Sequence, residues 1–168
     1  PGDQVEPPMP PAAEEPTERH LKRHSGCILL VDDDTGVRTT CARMLDRLGY
    51  RVVEAIDGRD AMERFRAEPR SFCCVVLDIV MPRLNGKQCH DQLRKEHAEL
   101  PIVLCSGYAQ DLVTPEIERD DHTRFLKKPF RLAELQSVLE GLLGTDSNPR
   151  LIVVADDIDL GGDEHAPE

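Results

Sequence analysis

The chain of 168 residues contains no Trp, and aromatic residues make up only 4% of it, so any core must be aliphatic. It has no excess of positive charge. Lys and Arg number 21 against 32 Asp and Glu, a formal net charge of -11. That balance excludes a basic nucleic-acid-binding module, whose affinity rests on many phosphate contacts. It equally excludes a polybasic module lying on a membrane surface. Long apolar runs are absent too: the longest, Phe72 to Leu77, is far short of the roughly 20 residues that cross a bilayer. The opening Pro1-Gly2-Asp3 has neither Met nor a basic flank ahead of an apolar stretch. No secretory signal is therefore expected, and the sequence reads as a piece of a longer protein.

No two of the six cysteines (27, 41, 73, 74, 89 and 105) form a C-x-x-C pair, and all fall within apolar-periodic segments. Zinc needs paired ligand spacing and a disulfide framework needs a small extracellular scaffold. Buried free thiols in a reducing cytoplasm are the expectation. Six of the thirteen prolines lie in the first sixteen residues, mixed with Glu and Ala. Such a stretch buries too little apolar surface to offset chain ordering. Residues 1–25 are therefore expected to be a flexible linker. Between Thr145 and Glu168 one Arg stands against seven acids, and residues 145–168 read as an acidic, disordered tail. Residues 26–144 remain for one folded domain, enough for a single core.

Within that body, patterns of two kinds alternate. Cys27–Val31, Arg51–Ala55, Phe72–Leu77, Ile102–Cys105 and Thr123–Leu126 are short apolar or β-branched runs. Between and after them, apolar residues recur at helical spacing: Val37, Cys41, Met44, Leu45 and Leu48; Ala61, Met62 and Phe65; Cys89 and Leu93; and Leu132, Leu135, Val138, Leu139 and Leu142. A weaker helix is expected around Leu112 to Glu118. Gly49 is placed to end the first helix, and Asp34 or Thr35 to cap its start. Five strands alternating with five helices predict an α/β fold with a parallel sheet covered on both faces. Continuous apolar strands fit burial on both sides.

In such sheets the reactive groups gather where loops leave the carboxyl ends of the strands. There the sequence places Asp32, Asp33 and Asp34 after the first strand and Asp78 after the third. Ser106 follows the fourth strand, and Lys127 and Lys128 the fifth. Carboxylates this close raise one another's pKa unless a cation neutralises them. A hard divalent cation with oxygen ligands, Mg²⁺, suits the cluster. Asp78 could then accept a phosphoryl group as a carboxylate nucleophile. A lysine and the metal would balance charge on the phosphoryl oxygens, and a hydroxyl would hydrogen-bond one of them.

These residues resemble the receiver domains of two-component signalling. Cys27-Ile-Leu-Leu-Val-Asp-Asp-Asp34 is similar to that family's first strand with its acidic pair. Val75-Val-Leu-Asp-Ile-Val-Met-Pro82 with Asn85-Gly86 resembles the phosphoacceptor strand and loop. Pro101-Ile-Val-Leu-Cys-Ser-Gly-Tyr108 and Phe125-Leu-Lys-Lys-Pro-Phe130 resemble the fourth strand with its hydroxyl and the fifth with its lysine–proline pair. The resemblance implies a flavodoxin-like doubly wound (βα)5 fold with a five-stranded parallel sheet in the order 2-1-3-4-5. It implies Asp78 as phosphoacceptor, and Mg²⁺ held by Asp33, Asp78 and the backbone carbonyl of Val80, with Asp32 acting through water. Ser106 would contact the phosphoryl group. Lys128 would match the family's lysine because it immediately precedes Pro129, and Lys127 would be merely exposed charge. A cis bond is implied at Lys128–Pro129, and Ser106 and Phe125 take the switch positions. The partner implied is a histidine kinase domain or a histidine phosphotransfer protein, with no nucleic acid and no direct membrane contact.

The six histidines (20, 24, 90, 97, 122 and 165) read as surface residues, so the phosphohistidine donor would belong to the partner. Val80 and Tyr108 would flank the path of a hydrolytic water. Neither orients one well, so self-dephosphorylation is expected to be slow. A phosphohydrolase of the haloacid dehalogenase type is the rival, with Asp32 and Asp34 as its pair; it leaves Asp78 without a role. Leu151-Ile-Val-Val-Ala-Asp-Asp157 reads as part of the acidic tail, the alternative being the start of a second receiver. The proline-rich start and the wording of the fourth and fifth strands point to the C-terminal receiver of a hybrid sensor histidine kinase. The alternative is a free single-domain regulator. Either would work in the cytoplasm, the first tethered to a membrane through its parent. By itself the module would only support its own phosphorylation and dephosphorylation.

Overall fold

A computed structural model describes residues 26–107 and 114–144. The expectations for residues 1–25, for the acidic tail with Leu151–Asp157, and for Tyr108 lie outside these residues. Five strands, β1 (Cys27–Val31), β2 (Arg51–Ala55), β3 (Phe72–Asp78), β4 (Ile102–Ser106) and β5 (Thr123–Lys127), form one sheet. Its order is β2-β1-β3-β4-β5 and every neighbouring pair is parallel. The helices between and after them are α1 (Thr35–Arg47), α2 (Gly58–Ala67), α3 (Gly86–Glu96), α4 (Pro115–Glu118) and α5 (Leu132–Leu143).

Side chains on a strand alternate between its faces, and two separate cores result. Leu29, Val31, Val75, Leu77, Ile102 and Leu104 point to one face, where Ala61, Met62 and Phe65 of α2 and Cys89 and Leu93 of α3 cover them. Ile28, Leu30, Cys74, Val76, Val103 and Cys105 point to the other, under Cys41 and Leu45 of α1 and Leu135 and Leu139 of α5. Both sets must be apolar, which is why the strands read as continuous hydrophobic runs. Five of the six thiols belong to these cores, Cys89 to the first and Cys41, Cys73, Cys74 and Cys105 to the second. Burial pushes Cys41 and Cys89 up to about 12, so they pack as small apolar groups and not as reactive thiolates.

Helix starts follow from local chemistry. The Asp34 carboxylate accepts the Val37 N–H at 2.9 Å to cap α1, and Asp57 accepts the Asp60 N–H at 2.9 Å to cap α2. Asn85 and Gln88 form a reciprocal capping box on α3. Gly49, at φ 91°, takes the chain out of α1. The described part of α4 is one turn from Pro115, shorter than the helix expected from Leu112, of which Leu112 and Val113 lie outside the described residues.

Two sequence expectations need correction. Val37 was expected on the buried stripe of α1 but is 38% exposed, and Arg38 is buried in its place. The first turn of α1 overhangs the sheet edge, so its inward position meets polar strand ends, while Cys41 and Leu45 meet the core. His90 was expected on the surface and is 4% exposed. It shares the inner face of α3 with Gly86, Cys89 and Leu93. Its Nε2 lies 3.1 Å from Thr123 Oγ1 on β5, which supplies the partner a buried polar group needs.

Candidate functional site

Asp32 directly follows β1 and Asp78 ends β3. The sheet order makes those strands neighbours, so the two carboxylates meet at one edge. Carboxylate oxygens from Asp32, Asp33 and Asp78 lie within 4.8 Å of one another. Asp32 and Asp78 are buried, at 4% and 7% exposure, while Asp33 faces solvent. Lys128 follows β5 and reaches across the edge. Its Nζ is 2.6 Å from Asp32 Oδ2 and 3.1 Å from Asp78 Oδ1. The Lys128–Pro129 bond is cis. Lys127 is exposed, as expected of its neighbouring position.

Burial pushes the Asp78 carboxyl above the usual carboxylate range; Lys128 draws it back down, and the charges of Asp32 and Asp33 push it further up. Burial lowers the Lys128 ammonium, but its bonds to Asp32 and Asp78 outweigh that, and it ends above the ordinary lysine value. Three carboxylates around one ammonium leave the cluster with surplus negative charge. Oxygens around Mg²⁺, bound at about 2.1 Å, stand roughly 3 to 4 Å apart. The cluster's donors are all hard oxygens at near that spacing, so the residues present fit this ion.

The loop leaving β3 is fixed from several sides. The Ile79 N–H donates to the Cys105 carbonyl, and the Gly86 N–H to the Ile79 carbonyl, each at 2.9 Å. Gly86 has no room for a side chain, because a Cβ there would lie 2.2 Å from the Asp78 carbonyl oxygen. Arg83, at φ 67°, pairs with the buried Asp57 at 3.4 Å. Val80, two residues beyond Asp78, is 57% exposed in this loop. Ser106 ends β4 fully buried, and its carbonyl accepts the Lys128 N–H at 2.9 Å. Phe125 is half-buried against the core under α2 and α3. Asp34 caps α1 through Oδ1, and the acids that gather at the edge are Asp32, Asp33 and Asp78, not the Asp32–Asp34 pair of the phosphohydrolase reading.

The structure adds residues that the strand-end search passed over. Arg38, 9% exposed, donates from Nη1 to the Asp32 carbonyl at 2.8 Å and from Nε to Glu54 at 3.0 Å. The signal was its place three residues before Cys41 and seven before Leu45, on the face that looks inward. Asp57 and Arg83 left no such trace, since their pairing exists only in the folded chain.

A family model described as the response regulator receiver domain matches residues 28–140. The sensor kinase CckA of Brucella abortus is 35% identical over 119 residues, which are 71% of this chain and 13% of that protein. The response regulator receiver protein CpdR of the same organism is 31% identical over 116 residues, 69% of this chain and 95% of its own length. The chain thus spans a small fraction of one relative and nearly all of another. Among solved structures, the response regulator TrrA of Thermotoga maritima in complex with Mg²⁺ and BeF has a TM-score of 0.63 at 27% identity. The match covers 70% of this chain and 99% of TrrA. The receiver domain of the hybrid histidine kinase CckA has a TM-score of 0.58 at 29% identity, covering 70% and 99%.

Proposed function

The chain belongs to the response regulator receiver domain family, and from that premise we propose that it accepts a phosphoryl group on Asp78 from a phosphohistidine of a partner. The observation that carries this reading is the Lys128 ammonium held between Asp32 and Asp78 at the sheet edge. An Asp78 carboxylate oxygen would attack the phosphorus; the P–O bond forms as the P–N bond to the partner's imidazole breaks. Lys128 and the Ser106 hydroxyl would take the phosphoryl oxygens, replacing part of the charge balance that Lys128 now supplies to Asp32. Mg²⁺ would be held by Asp33, Asp78 and the Val80 carbonyl, with Asp32 contributing through water. Bound there, it would neutralise charge on the transferring group.

The partner is a histidine kinase domain or a histidine phosphotransfer protein, with no part for nucleic acid. We place the module in the cytoplasm, where six free cysteines stay reduced; no described helix is long and apolar enough to cross a membrane. The match to the CckA sensor kinase supports the C-terminal receiver of a hybrid kinase as its setting. The near full-length match to CpdR favours a free-standing regulator as the second reading. The coding sequence upstream of Pro1 separates them. The phosphoacceptor is tested by incubating the chain with acetyl phosphate and Mg²⁺ and measuring intact mass. One phosphate should be gained, and lost in Asp78→Asn and on chelation; a gain that survives Asp78→Asn overturns the assignment.

A further inference from the structure

All four polar atoms of Asp32 are engaged. Its N–H donates to the Ala55 carbonyl at 3.2 Å. Its Oδ1 accepts the Asp34 N–H at 2.9 Å and its Oδ2 accepts Lys128 at 2.6 Å. Its carbonyl accepts Arg38 Nη1 at 2.8 Å. The first three bonds belong to the sheet, the turn and the lysine already described. The fourth comes from a buried cation one turn into α1, which the phosphotransfer chemistry does not use. The same guanidinium reaches Glu54 on β2, so it ties the acidic turn to the neighbouring strand by two donors of one rigid fork.

We propose that Arg38 is a positioning residue for the metal-binding acids, acting by fixing the peptide plane that joins Asp32 to Asp33. The Asp32 carbonyl and the Asp33 N–H share that plane, because the peptide unit is flat. A bond that pins the carbonyl therefore sets the direction in which the chain enters Asp33. Asp33 itself faces solvent, and without the pin it would sample orientations that a metal site must freeze out on binding. The inference rests on the reading of this edge as a Mg²⁺-dependent receiver site.

Charge and geometry make opposite predictions here, which gives the test its force. Deleting a cation beside three carboxylates should tighten a divalent ion by Coulomb attraction. Loosening the turn should weaken it, on the order of tenfold for removal of a ligand's supporting partner. The experiment is a calorimetric titration of Mg²⁺ into the full chain, wild type and Arg38→Ala, with thermal melts and with the rate of phosphorylation by acetyl phosphate across Mg²⁺ concentration. The expected result is a Kd for Mg²⁺ raised on the order of tenfold. The half-saturating Mg²⁺ for phosphorylation should rise in parallel, with the maximal rate recovered at high Mg²⁺. An unchanged or lower Kd overturns the proposal, as does a lowered maximum that Mg²⁺ does not restore. Glu54 is half-exposed and tolerates loss of its partner. Should Arg38→Ala nevertheless lose its cooperative melt, Arg38→Lys decides: one ammonium cannot span both acceptors, and a smaller rise in Kd is expected. A wild-type chain that binds no Mg²⁺ would instead defeat the functional reading, and so the two failures are distinct.

Discussion

Replacing Asp78 by Asn tests whether the site is strained by its own charge. At an effective dielectric of about 20, Asp32, no more than 4.8 Å away, repels Asp78 by about 3.5 kcal/mol or more, and Lys128 at 3.1 Å attracts it by about 5 kcal/mol. Asp33 lies in solvent, so screening leaves it about 1 kcal/mol of repulsion. These contributions nearly cancel, and the unfavourable burial of the carboxylate decides the sign. Asp78→Asn should therefore stabilise the metal-free domain by about 1 kcal/mol, a rise of roughly 4 °C in Tm for a body of this size. The variant should also lose most of its response to the metal, which for wild type at a hundred times Kd is about 2.7 kcal/mol. Thermal melts of both proteins, in chelator and in saturating Mg²⁺, give all four values. A lower Tm for the variant in chelator would mean that the Lys128 pair outweighs burial and repulsion together, and the reasoning would be wrong.

Because the folded state raises the Asp78 pKa, it holds that proton more tightly than the unfolded chain does. In chelator, Asp78 should thus cost stability progressively as pH rises from the ordinary carboxylate value through the raised one; the Asp78→Asn difference in Tm across pH should show this slope, and a difference independent of pH speaks against it. Asp33→Ala should weaken Mg²⁺ binding strongly by calorimetry, whereas Asp34→Ala should cost about 1 kcal/mol of stability as a lost helix cap and leave Mg²⁺ nearly untouched. Equal losses of affinity in both would show the acidic run to be misassigned. Gly86→Ala must push a Cβ against the Asp78 carbonyl and should destabilise by about 3 kcal/mol or more in denaturant melts. Decay of the phosphorylated form, followed on a phosphate-affinity gel after removing the donor, should be slow and should quicken in Val80→Asn, where an amide can orient water at an exposed position; fast wild-type decay unmoved by the substitution counts against this.

The strands and their polar ends were legible because burial on both faces leaves no freedom in composition. A run such as Phe72–Leu77 that stops at an acid marks a sheet edge without any tertiary knowledge. Parallel order then brings Asp32 beside Asp78 once β1 and β3 are neighbours. What escaped was polarity on inward faces. Reading a helix by its apolar residues selects Val37 and passes over Arg38, although the overhanging first turn of α1 needs the opposite choice. His90 escaped for the same reason, since a stripe of Cys89 and Leu93 says nothing of a histidine between them whose partner, Thr123, lies on β5. The Asp57–Arg83 pair depends on two loops that meet only after folding.

The two faces of the sheet meet the site on unequal terms, and this bears on how a modification at Asp78 would reach the surface. Lys128 is the shared element. Its ammonium holds Asp32 and Asp78, while its backbone N–H holds the Ser106 carbonyl at the end of β4. A phosphoryl group on Asp78 would present new acceptors to that ammonium, whose three N–H donors now face two carboxylates, and would compete with Asp32 for its charge. Asp32 can lose that bond with little displacement, because three other bonds still hold it. Ser106 and Phe125 sit at the end of β4 and along β5, on the other side of Lys128. A rearrangement begun at Lys128 would be resisted on the α1 side, where Arg38 ties the acidic turn to Glu54 of β2.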